Sequence, residues 1–179
     1  MTAAKETGMF GNLYVFGKTL QGGDSLYLNR SAKGKRLNWV YELEYGTSPS
    51  SDEDEAWRKL IHAHKYSSVA SANSIPLKMH CLDIEPTEEC LFNLSEDDLE
   101  LLSEMEHRRW MATQLFLGYS AEKAARRKDR THFKELKTTQ YIHLDIAPYE
   151  DLPGEDEKDK LIINNIPYIL TGNGSPIIH

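Results

Sequence analysis

The stretch Leu94–Ser120, LSEDDLELLSEMEHRRWMATQLFLGYS, limits what this chain can fold into more than any other. It reads as one amphipathic helix with a start and a stop. Ser95 followed three residues on by Asp98 is a capping-box-like start, and acidic residues fill the first turn. Gly118 marks the end. At roughly 100° per residue, Leu99, Leu102, Trp110, Phe116 and Leu117 fall in one broad sector, and Glu106, Arg109 and Thr113 fall in it too. Charged side chains are rarely buried unpaired, so this apolar face must contain something that pairs them.

Glu106 and Arg109 are three residues apart and can meet each other or a second element. Three readings follow. The pair can tie the helix to a neighbouring segment, for example to Lys158 and Asp159 of an acidic helix near the C-terminus. It can form the polar floor of a pocket walled by Trp110, with Thr113 beside it. Or it can act in catalysis.

The same residues carry a family resemblance. MEHRRWMATQLFLGY, followed by IAPYEDLPGEDEKDKLIINNIPYIL, resembles the ryanodine receptor repeat domain. The pattern is Glu106, His107, Arg109 and Trp110 on the helix, then Gly118–Tyr119, then Pro148, Tyr149, Leu152 and Pro153, then Lys158–Asp159 and Ile166–Pro167. It covers residues 86–172, on the scale of one small domain. Tyr119 stands where the family usually has Trp. Lys160 stands where it tends to have Arg, which weakens any bidentate contact there.

The remainder divides around that unit: an N-terminal extension over 1–85 that packs on the repeat, and a tail over 173–179. Asn12–Phe16 and Ser25–Asn29 are short strand candidates separated by a glycine-rich turn. That turn lacks the spacing of a dinucleotide or Walker loop. Lys33–Tyr45 reads as a helix ended by Gly46, and Ala56–Ala72 as a second with Trp57, Leu60, Ile61 and His64 at helical spacing. Ser74 and Pro76 suggest a new helix start. Beyond the central helix, Lys123, Arg126, Arg127, Lys128 and Arg130 form a basic cluster, read as a solvated face or as an anion contact. Tyr141–Ile146 is a strand candidate. The last helix opens on acids at Gly154–Glu157, buries Leu161, Ile162, Asn165, Ile166 and Ile169, and is bent or ended by Pro167. The expected fold is mainly α with short β-strands, in an α+β arrangement, its core around Trp110, Leu115, Phe116, Leu152, Ile162 and Ile166.

Composition narrows the function. Among 179 residues, 21 basic and 28 acidic side chains leave a net charge of −7, which argues against bulk binding to nucleic acid or an anionic membrane. No apolar run approaches the roughly 20 residues of a membrane span, and the N-terminus lacks a signal-like apolar core, so a cytoplasmic location is expected. Cys81 and Cys90 have no zinc-site partners by spacing, so no metal is expected. There is no Gly-x-Ser-x-Gly elbow and no H-E-x-x-H, and His107 and Glu106 point about 100° apart on a helix. The acid count leaves a glycosidase-type carboxylate pair open, but enzyme activity is not expected.

The resemblance implies binding rather than chemistry. In calcium-release channels such repeats are interaction and ligand-contact modules of the cytoplasmic shell; bacterial single-copy look-alikes are proposed to sense a nucleotide-derived ligand. The implied role here is a non-enzymatic module that binds a small nucleotide-type ligand and acts through an effector protein, without a cofactor. A protein-interaction module without a small ligand is the alternative. Because channels carry paired repeats and this chain shows one, a homodimer is expected. The expected ligand contacts are Glu106, Arg109, Trp110 and Thr113 on the helix and Tyr149 on the following turn, with Arg126 and Arg127 reaching a phosphate.

Overall fold

The computed structural model describes residues 25–84, 94–123, 126–127, 129–152 and 156–178. Seven α-helices lie among them: α1 (Ser25–Tyr45), α2 (Glu53–Lys59), α3 (His62–Cys81), α4 (Glu96–Phe116), α5 (Phe133–Thr139), α6 (Asp156–Asn164) and α7 (Ile166–Thr171). Two strands of two residues, β1 (Ser120–Ala121) and β2 (Ile142–His143), pair in parallel with Ser120 opposite Ile142. The fold is therefore mainly helical, with short strands as expected.

The central helix forms as its sequence dictates. Ser95 Oγ accepts from the Asp98 backbone N–H at 3.1 Å, and Glu96, Asp97 and Asp98 sit at the positive end of the helix. At the other end Gly118 adopts φ +93°, its N–H bonds Leu115 O, and the Tyr119 N–H bonds Gln114 O. That is a Schellman stop, which needs a residue tolerant of the left-handed region.

The front half differs from expectation in three places. Ser25–Asn29 is the beginning of α1, not a strand. Extending the helix satisfies those backbone groups internally, whereas a lone strand would need a partner edge. The helix expected over Ala56–Ala72 is two helices, because Leu60 and Ile61 are extended (ψ 138° and 155°). Asp52 caps the first, accepting from Glu55 N at 2.8 Å. Pro76 does not start a helix; α3 runs through it, giving up one i→i−4 bond, and Ser74 Oγ donates to Ser71 O instead of capping. The Asn12–Phe16 candidate, the glycine-rich turn and Cys90 lie outside the described residues.

One core joins both halves of the chain. Leu37 of α1 and Ala72, Ile75 and Met79 of α3 pack with Leu102 of α4, Ile162 and Ile163 of α6, and Ile166 and Ile169 of α7. Each such aliphatic side chain stabilises by about 1.5–3 kcal/mol when fully buried. Of the expected core, Ile162 and Ile166 are in it, while Trp110 and Leu152 are half-buried at its edge. Leu115 and Phe116 are not in it, being 54% and 76% exposed. Leu115 lies roughly 140° from the Leu102 direction on the helix wheel. Phe116 has the right direction but sits in the last turn, where it stacks on Tyr66 at the surface with ring centroids 5.9 Å apart. Tyr141–Ile146 pairs only through Ile142 and His143. At the C-terminal end, Asn165 separates α6 from α7; its amide donates to Leu161 O and Ile177 O, and its Oδ1 accepts from Ile177 N at 2.7 Å, docking the tail.

Candidate functional site

Above this core, α1, α3, α4, α5 and α6 enclose a cavity of about 360 Å³. That volume is at the lower end of small-ligand sites, about 300–1,000 Å³. Tyr41, Trp110, Phe133 and His143 give it aromatic walls, and Arg109, Lys137 and Lys158 give it cations against the carboxylates of Asp145 and Asp159. Both carboxylates are engaged: Asp145 pairs with Arg130, and Asp159 with His107.

Its floor is a buried ionic network. Glu106 is fully buried and accepts from Lys78 Nζ at 2.7 Å, from Ser71 Oγ at 2.7 Å, and from Arg109 through Nε at 3.0 Å and Nη2 at 2.6 Å. Arg109 Nη1 donates to Thr113 Oγ1 at 3.0 Å, and that hydroxyl donates back to Arg109 O. Burial alone would push the Glu106 carboxyl up, but Arg109 and Lys78 outweigh it and hold it down at about 2. The floor is thus two cations on one anion.

The histidines divide by partner. His107 has an acceptor at each ring nitrogen, Asp159 Oδ2 at 3.3 Å from Nδ1 and Ala147 O at 2.8 Å from Nε2. Burial lowers its affinity for a proton, but these two acceptors outweigh that and the imidazole is shifted up, toward imidazolium. The Asp159 carboxyl is also shifted up, by burial first and then by Glu106, so the pair holds protons firmly. His143 goes the other way. Burial, then Lys137, Lys158 and Arg130, push it down to about 3. It is neutral, and Nδ1 accepts from the Asp145 backbone N–H at 3.3 Å, which leaves its proton on Nε2. The 3.8 Å approach of Asp145 Oδ2 is therefore not an ion pair. The ring stands edge-on to Trp110 at 4.9 Å and to Phe133 at 5.2 Å. Burial, then Lys137, also lowers His64, and burial, then Asp159, raises the Tyr41 hydroxyl well above its ordinary range.

Among the residues singled out from the sequence, Arg109 and Trp110 line the cavity, while Glu106 and Thr113 lie beneath it as supports for Arg109. Tyr149 is behind the wall, its ring 5.8 Å from that of His107. Arg127 pairs with Asp151 at 3.0 Å outside the cavity, and Arg126 is exposed in a turn. The suggested partnership of Glu106 and Arg109 with Lys158 and Asp159 is replaced: Glu106 pairs with Lys78, and Asp159 with His107. Sequence reasoning missed Lys78, Ser71, Asn38, Lys137 and His143. Lys78 carried a signal, since Ser71, Ile75 and Lys78 share one helix face with a lysine among small and apolar residues.

The geometry suits binding more than bond-making. Among the described residues, no cavity serine is hydrogen-bonded to a histidine, and Ser71 is spent on Glu106. No group of three or more His, Cys, Asp or Glu side chains among them could hold a metal ion. No family model, no curated protein and no solved structure matches the chain.

Proposed function

We propose that this chain is a non-enzymatic ligand-binding module of the ryanodine receptor repeat type, and that its cavity takes a nucleotide-type ligand. The observation that carries this reading is the cavity's lining: an aromatic wall at Trp110 facing Arg109, Lys137 and Lys158, in a chain whose net charge is −7. Flat aromatic faces stack bases, a contact worth about 1–3 kcal/mol per base in nucleic-acid sites. Cations in a partly enclosed site favour the attached phosphate. The buried network below holds Arg109 and Trp110 on a fixed helix face, which reduces the ordering cost of binding. On this reading the module is cytoplasmic, uses no cofactor, and passes its ligand state to an effector protein.

Purine nucleotides at millimolar concentration should raise the melting temperature of the purified protein, because a ligand that binds only the folded state stabilises it even when weak. If none does, this reading fails. A protein-interaction module then takes its place. That second reading draws on the exposed Tyr66–Phe116 stack and the exposed Leu115, an apolar surface on which a partner or a second copy of the chain could rest.

A further inference from the structure

Arg109 is the obvious residue for an anion, but its donors are already committed. Nε and Nη2 hold Glu106 and Nη1 holds Thr113. Turning the guanidinium to take an oxyanion bidentately would strip a buried carboxylate of its best partner. The cavity's other cations are placed differently. Lys137 of α5 is half-buried on the wall and, among the described residues, makes no ion pair; its ammonium lies 5.9 Å from the Phe133 ring. Lys158 of α6 lines the same cavity, with its ammonium 6.0 Å from the Tyr45 ring. Two ammonium groups brought to one partly enclosed space repel each other, and an anion between them relieves that cost. A second observation comes from α1. Asn38 lines the cavity at 9% exposure, and its amide Nδ2 is buried with no hydrogen-bond partner among the described residues. An unsatisfied buried donor is costly and calls for an acceptor.

Resting on the reading that this cavity is the ligand site, we infer that it divides into two subsites: Lys137 and Lys158 bind a phosphate-type anion, and the Asn38 amide donates to an acceptor atom of the ring system stacked at Trp110. Arg109 is a positioning residue that sets the wall. The anion is a phosphate group, whether carried by a nucleotide or free in solution.

Calorimetry with adenosine monophosphate, adenosine and inorganic phosphate tests this on the whole chain. The monophosphate should bind wild type at least about tenfold more tightly than adenosine, the scale of one charge-assisted contact. Lys137→Met should remove that preference while leaving adenosine binding and the melting temperature of the free protein unchanged. Asn38→Ala should weaken adenosine and the monophosphate by the same factor. Inorganic phosphate should compete with the monophosphate in wild type. If it binds as tightly as the monophosphate and fails to bind Lys137→Met, the anion subsite holds while the nucleotide reading falls. If adenosine and the monophosphate bind equally, or Lys137→Met keeps the preference, the subsite assignment is overturned and the nucleotide reading survives. If none of the three binds, both are overturned.

Discussion

At Glu106, one carboxylate serves two cations that have left water with it. Lys78 is 2% exposed and sits 2.7 Å from Oε2. Breaking such a network from one side is costly because the remaining charge is stranded. Glu106→Gln should therefore destabilise the protein by about 3–5 kcal/mol in urea titrations near neutral pH. A loss under about 1 kcal/mol would mean that Lys78 is not held as described. The effect should also depend on pH, in a stated direction. The folded carboxyl is held at about 2 against an ordinary 4.5. A depressed acid contributes its full stability above the ordinary value and loses it as pH falls toward the folded one. The gap between wild type and Glu106→Gln should be widest above about pH 5 and shrink by on the order of 2 kcal/mol by pH 3. An unchanged gap would show that Glu106 does not titrate as its surroundings dictate. The sequence made the Glu106–Arg109 contact legible, because it is local and three residues long. Lys78 was not, because helical spacing says nothing about which distant helix packs opposite.

The central helix shows what periodicity reveals about an element and where it stops. Its cap at Ser95 and its stop at Gly118 follow from local chemistry and stand where the sequence puts them. Its buried sector does too, from Leu102 through Glu106 to Thr113. The error came in the last turn. A helix wheel assigns direction, but burial also needs a neighbour of sufficient length, and at Phe116 the covering contact is Tyr66 at the surface. The consequence is measurable. Leu102→Ala should cost about 2–5 kcal/mol, as for other large-to-small core changes. Phe116→Ser should shift the same unfolding midpoint by about 0.5 kcal/mol or less. Comparable losses at the two positions would mean that the end of α4 is covered in solution, for example by a second copy of the chain. Light scattering would then decide the homodimer. The break at Leu60–Ile61 and the passage of α3 through Pro76 were illegible for a related reason: both depend on tertiary packing that overrides local preference.

At the scale of the molecule, the boundary near residue 85 falls through a shared core. The sequence separates an extension from a repeat-like unit on motif content, and motif content does not reveal what buries what. Leu37, Ala72, Ile75 and Met79 from before that boundary pack with Leu102, Ile162, Ile163, Ile166 and Ile169 from after it. Arg36 of α1 reaches across as well, donating from Nη1 to Ile169 O at 3.0 Å and to Leu170 O at 3.1 Å, the unpaired carbonyls at the end of α7. The cavity is likewise built from both sides, with Asn38 and His64 from the front and Arg109, Lys137 and Lys158 from the back. A fragment of residues 86–179 would lose half of that core, expose fully buried isoleucines to water, and leave Glu106 without Lys78 and Ser71. At about 94 residues it is long enough for a domain by size alone. It should nevertheless fail to fold cooperatively, keeping some helical circular dichroism but showing poor amide dispersion and no sharp thermal transition. Adding residues 25–84 as a separate chain should restore both. A fragment that melts cooperatively alone would make the repeat-like unit an independent domain and α1–α3 an accessory to it. If it does not, front and back form one folding unit with the cavity at their junction, and any ligand held there stabilises their association by the free energy of its own binding.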